Sequence, residues 1–115
     1  MTDTCIFCQI ARSEIKTDLL FHDDLLSAFR DINPVASTHI LIVPNRHVES
    51  LNQLVAGDEA LIGRMFSLAR ELAGREDVRE TGYRLVANTG PNGGQTVSHF
   101  HLHLIGGRQM HWPPG

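Results

Sequence analysis

The sequence predicts an α+β fold built on an antiparallel sheet, and three observations carry that expectation. Short β-rich runs are separated by tight-turn residues, one long stretch repeats its apolar residues at helical spacing, and 115 residues suffice for one modest core but not two. A single domain over residues 1–115 follows, with residues 106–115 as a tail.

Cys5 to Arg12 reads as a short helix, and Leu19 to His22 and Leu25 to Arg30 as two strands joined at Asp23-Asp24. His39-Ile-Leu-Ile-Val-Pro44 is a dense β-branched run, expected to be buried, whose proline has no N–H for a ladder and so marks its end. From Asp58 to Ala73, Leu61, Ile62, Met65, Phe66, Ala69, Leu72 and Ala73 recur with helical period, Arg64, Arg70 and Glu71 fall on the other side, and Gly74 is the expected stop. Tyr83 to Asn88 alternates as a strand; glycines then break regularity before a final strand from Val97 to Ile105. No internal repeat or low-complexity tract interrupts this order.

Composition narrows the function classes. With 42% hydrophobic and 20% charged residues, neither disorder nor a fibrous architecture is indicated. The net charge of −3 argues against nucleic acid as a partner, because polyanion binding depends on Lys and Arg displacing counterions, although a small anion in a local pocket is compatible with it. No apolar run reaches the roughly 20 residues that span a bilayer, and Met-Thr-Asp-Thr-Cys lacks a leader pattern, so no membrane and a cytoplasmic location are expected. The two cysteines, Cys5 and Cys8, form a C-x-x-C pair that reads as a metal half-site or a redox pair; other ligands must decide. The tail carries the sole tryptophan, Trp112, which either packs on its own chain or docks on a partner.

The strongest chemical signal is His99-Phe-His-Leu-His-Leu-Ile105. Alternation on a strand places His99, His101 and His103 on one face, roughly 7 Å apart, and Phe100, Leu102 and Leu104 in the core. Such a face can grip a metal, or one imidazole can act as nucleophile while its neighbours orient and donate. The preceding loop, Asn88-Thr-Gly-Pro-Asn-Gly-Gly-Gln-Thr96, favours the second use, since its glycines let backbone N–H groups approach an anion closely and so suggest phosphate.

These segments together resemble the histidine triad superfamily. The resemblance runs through Cys-Ile-Phe-Cys8, Phe29-Arg-Asp-Ile-Asn-Pro34, Thr38-His-Ile-Leu-Ile-Val-Pro-Asn-Arg-His47, the triad itself, and Gly106-Gly-Arg-Gln-Met-His-Trp-Pro-Pro-Gly115, an ending similar to that of its purine nucleoside phosphoramidase branch. It implies a five-stranded antiparallel sheet with one long and one short helix, continued across a homodimer. It implies a hydrolase of purine nucleoside phosphoramidates in which His101 becomes nucleotidylated, with His103 and His39 donating to phosphoryl oxygens and His99 completing the triad. Asn88, Gly94 and Thr96 match phosphate-contacting positions, and Asp31, with Ile32 beside it, matches the acceptor for the ribose hydroxyls. Phe7, Ile10, Phe29 and Leu41 fall where the family builds its purine slot, and Trp112 would lie near the partner's active site. Cys5, Cys8, His47 and His99 match the ligands of a structural zinc in members with C-x-x-C, and no catalytic cofactor is implied. Rival readings are a dinucleoside polyphosphate hydrolase or nucleotidyl transferase of the same superfamily, and a nucleotide-binding module with slow chemistry. Ser98 departs from the aromatic residue common at that position, and His22 has no assigned role beyond the surface.

Overall fold

A computed structural model describes residues 5–14 and 17–115. Met1 to Thr4, within the N-terminal stretch read above, lie outside them. Helix α1 (Ile6–Ala11) is followed by strands β1 (Leu19–His22), β2 (Leu26–Arg30) and β3 (Thr38–Pro44), helix α2 (Glu59–Arg75), and strands β4 (Tyr83–Val86) and β5 (Leu102–Gly106), with two 3-10 turns between β3 and α2. The strands form one five-stranded sheet in the order β1-β2-β3-β5-β4, and every pairing is antiparallel, as expected.

Period-two alternation gives this sheet two different faces. Leu26, Ala28, Ile40, Ile42, Leu102 and Leu104 point to α2 and, with Phe100, Met65, Leu68, Ala69 and Leu72, make the main core. On the other face Phe29, Leu41 and Val43 pack with Phe7 and Ile10 of α1 into a smaller cluster. β3 is therefore buried along all of its seven residues, which accounts for its unbroken apolar run.

Several boundaries differ from expectation for identifiable reasons. Leu25 belongs to the turn, where Asp23 Oδ1 accepts the N–H groups of Leu25 and Leu26 at 2.8 Å each, so β2 starts one residue later. β5 does not begin at Val97. Its ladder to β3 ends at the Ile42–Leu102 pair, since β3 next reaches Pro44, and Phe100 N–H donates instead to the Val48 carbonyl at 2.6 Å. β4 likewise stops at Val86, short of Asn88.

Gly74 does not stop the long helix. α2 continues to Arg75, and Asp77 takes the left-handed conformation at φ 62°. Asp77 N–H donates to Gly74 O and Val78 N–H to Ala73 O, a Schellman closure with Val78 buried beneath it. Phe66, which helical spacing puts on the core stripe, is 49% exposed; it and half-buried Ile62 form a ridge beside the stripe that Met65, Leu68 and Leu72 bury. Among the described residues no helix is long and apolar enough to cross a membrane.

Candidate active site

The three histidines leave the core face as alternation predicts, but they part company. His99 is fully buried; its Nε2–H donates to the Pro44 carbonyl at 2.8 Å, which fixes the tautomer and leaves the Nδ1 lone pair facing Cys5 Sγ at 3.2 Å and Cys8 Sγ at 3.4 Å. His47 Nδ1 stands 3.3 Å from Cys8 Sγ. Cys5, Cys8, His47 and His99 thus offer four donor atoms, all within 4.8 Å of one another. Three of the sulfur–nitrogen distances, 3.2–3.4 Å, approach the edge of about 3.5 Å that tetrahedral zinc–sulfur and zinc–nitrogen bonds would give, so the donor set fits a metal ion. Without one, burial, and then the neighbouring Cys5, push the Cys8 thiol up to about 11.

His101 and His103 turn to a cleft of about 450 Å³ between α1, the Asp31–Val35 loop and Thr96-Val97. Their ring centroids are 4.9 Å apart, closer than the pleat repeat implies, because residues 97–101 are not strand and the His101 ring is not held to the pleat. The His101 Nδ1–H donates to the His99 carbonyl at 2.7 Å, which leaves the lone pair on Nε2. Phe7 stacks edge-on against that ring at 5.0 Å.

His103 belongs to a second hydrogen-bonded set. Val35 N–H donates to His39 Nδ1 at 3.2 Å, so the neutral His39 carries its proton on Nε2, and this donates to His103 Nδ1 at 2.9 Å. His103 is thereby the Nε2–H tautomer. Burial holds His103 down at about 4, with His101 and His39 adding to the effect. Burial likewise lowers His39 against the pull of Asp31, and lowers His99 to about 4. All three are neutral at pH 7.

Phe7, Ile10, Phe29 and Leu41 form the cleft's apolar wall, and Asp31, Ile32 and Thr96 its rim. Asn88 and Gly94 do not line it. They brace the approaching loop, Asn88 Nδ2 donating to the Gly93 carbonyl at 2.6 Å and Gly94 taking φ 79°. His99 does not line it either, and Trp112 is 83% exposed rather than packed on its own chain. His22 is a surface residue whose Nδ1 meets Ser27 Oγ at 2.9 Å. Sequence reasoning missed Ile6, Val35 and Val97, which also line the cleft. Val35 and Pro44 act through main-chain atoms, which leave no residue-type signal.

Residues 12–110 match the HIT domain family. The chain belongs to that family. This HIT protein is 46% identical over its whole length to an uncharacterised HIT-like protein of Synechococcus elongatus that it also covers completely. It is 47% identical over 110 residues to the purine nucleoside phosphoramidase of Escherichia coli, covering 96% of this chain and 92% of the relative. Among solved structures, a HIT family hydrolase from Legionella pneumophila superposes with TM-score 0.95 at 48% identity, over 97% of this chain and 100% of the other. A histidine triad protein from Clostridium difficile gives 0.89 at 37% identity, over 92% of each chain.

Proposed function

We propose that this HIT protein hydrolyses purine nucleoside phosphoramidates through a nucleotidylated His101. The observation that carries the reading is the His101 ring, whose Nδ1–H is tied to the His99 carbonyl while its Nε2 lone pair is free in a cleft with an apolar wall and an acidic rim. The 47% identity to a purine nucleoside phosphoramidase points the same way.

In the first step His101 Nε2 attacks the α-phosphorus. The P–N bond breaks, its electron pair goes to the amine nitrogen, and that nitrogen takes a proton from solvent. Water then attacks phosphorus and loses a proton to solvent, the imidazole leaves with its electron pair, and the nucleoside monophosphate departs. His103 Nε2–H donates to a phosphoryl oxygen as negative charge builds there, joined by Thr96, which the Asn88–Gly94 loop leads into. Phe7, Ile10, Phe29 and Leu41 take the purine, and the Asp31 carboxylate accepts both ribose hydroxyls next to Ile32. His39, with both ring nitrogens already engaged, acts on phosphate through His103.

Cys5, Cys8, His47 and His99 would hold a zinc ion. Bound there it supplies a structural crosslink between α1, the segment after β3 and the approach to β5. A homodimer is proposed from three features. β4 is an edge strand with all four residues half-buried, Ile62 and Phe66 form an apolar ridge on α2, and Trp112 stands exposed where a partner's cleft could receive it.

The test is amine release from adenosine 5′-phosphoramidate by the purified protein. His101→Ala should abolish turnover and keep AMP binding, and an acid-free quench of wild type should show a nucleotidylated His101 by mass. Full activity in His101→Ala would remove the proposed nucleophile.

A further inference from the structure

The loop between β2 and β3 closes on His39 at three points. Asp31 N–H donates to the His39 carbonyl at 3.0 Å, Val35 N–H donates to Nδ1 at 3.2 Å, and Asp31 Oδ2 stands 3.4 Å from Nε2. Since Nδ1 is an acceptor, the single ring proton of His39 sits on Nε2, hydrogen-bonded to His103 Nδ1 at 2.9 Å, while the Asp31 Oδ2 charge stands 3.4 Å from the same nitrogen and pulls on that proton. Asp31 Oδ1 is occupied by the Asn33 N–H at 2.8 Å, so Oδ2 is the oxygen in competition. His39 is buried and Asp31 half-buried, so little water intervenes to weaken that competition.

A proton between an imidazole nitrogen and a carboxylate divides according to what else the carboxylate bonds. We propose that ribose hydroxyls bound at Asp31 draw Oδ2 away from His39 and relieve its pull, so that the His39 Nε2–H bond to His103 tightens and holds the His103 Nε2–H on the phosphoryl group. Asp31 then senses the sugar, and His39 is the positioning residue that reports its presence to the catalytic histidine. The inference rests on the reading of the cleft given above, in which Asp31 meets ribose, and adds that the sugar governs rate as well as affinity.

The two roles separate in kinetics. A sugar contact that merely anchors changes KM and leaves kcat alone, whereas one that orders His103 changes kcat. The experiment measures amine release in single turnovers at saturating enzyme, for adenosine 5′-phosphoramidate and its 2′,3′-dideoxy counterpart, with wild type and Asp31→Asn. In wild type the saturated rate for the dideoxy substrate should be about tenfold lower, the effect of one weakened charge-assisted hydrogen bond. Asp31→Asn, whose amide competes weakly for the His39 proton, should raise the dideoxy rate above that of wild type and close the gap between substrates. Equal saturated rates for the two substrates in wild type would overturn the inference, and so would a further slowing of the dideoxy substrate by Asp31→Asn. The wild-type comparison stands whether or not the variant folds. Turnover with a sugar effect in KM alone overturns the inference and spares the function; no turnover of either substrate overturns both.

Discussion

The carbonyl oxygen of His99 accepts the Nδ1–H of His101 at 2.7 Å, while the ring of the same His99 stands 3.2 Å from Cys5 Sγ and 3.4 Å from Cys8 Sγ. One residue thus meets the cysteine cluster with its side chain and the reacting histidine with its backbone. What immobilises the first also aims the second.

Metal analysis of protein purified without chelator should therefore find close to one zinc per chain, and Cys8→Ser should lose it. Unfolding stability should fall with it, because metal binding is linked to folding, and the single-turnover rate should fall as the His101 ring loosens. A Cys8→Ser protein with wild-type metal content would exclude the cysteine cluster as the site.

Burial holds His99 and His103 at about 4 and lowers His39 in the same direction. Unfolded, each titrates near about 6.5, so on acidification the unfolded chain takes up protons first. The contribution of these neutral rings is complete above about 6.5 and declines as pH falls toward about 4. Urea midpoints of metal-free protein should drop between pH 7.5 and 5, with a shallower slope in His103→Gln. A midpoint flat over that range would show that the rings are not kept neutral by folding.

Gly74→Ala should stabilise the protein by roughly 0.5–1 kcal/mol, since the position is helical and alanine is the better helix former. A Cβ there meets only the end of the flexible Arg79 side chain, at 3.2 Å. A true left-handed helix stop would respond with the opposite sign, so a urea denaturation series separates the two.

Trp112→Ala should leave the fold intact while kcat/KM comes to depend differently on the amine leaving group, with AMP affinity little changed. The point substitution is cleaner than removing the tail, because Arg108 Nε donates to the Val35 carbonyl at 2.8 Å and so steadies the loop around His39. Unaltered selectivity across several amines would assign Trp112 to packing alone.

Much of this was legible in the residues. Alternation around His101 carries the faces because Phe100, Leu102 and Leu104 must all reach the core, even though residues 97–101 are not strand. Pro44 announced the end of β3, although not that it would also shorten β5, a consequence of pairing between distant segments. Gly74 misled because glycine is the usual helix stop, whereas here Asp77 accepts the left-handed conformation and Val78 gains burial beneath the core. The bond from His39 to His103 spans 64 positions and is made by the register of β3 with β5 and a backbone N–H at Val35. No local pattern encodes it.

Helix α1 has six residues, far short of what holds a helix alone in water. It is kept in place by Phe7 against Phe29 and His101 on one side and by Cys5 and Cys8 against His99 and His47 on the other. A purine resting on Phe7 and Ile10 and an ion held by the two sulfurs would therefore order the same short segment, and whichever arrives first reduces the entropic cost left to the second. Thermodynamic reciprocity then makes them mutual effectors: a protein loaded with nucleotide should hold its metal more tightly in equilibrium competition with a chelator, and a protein stripped of metal should bind the base with lower affinity by the same factor.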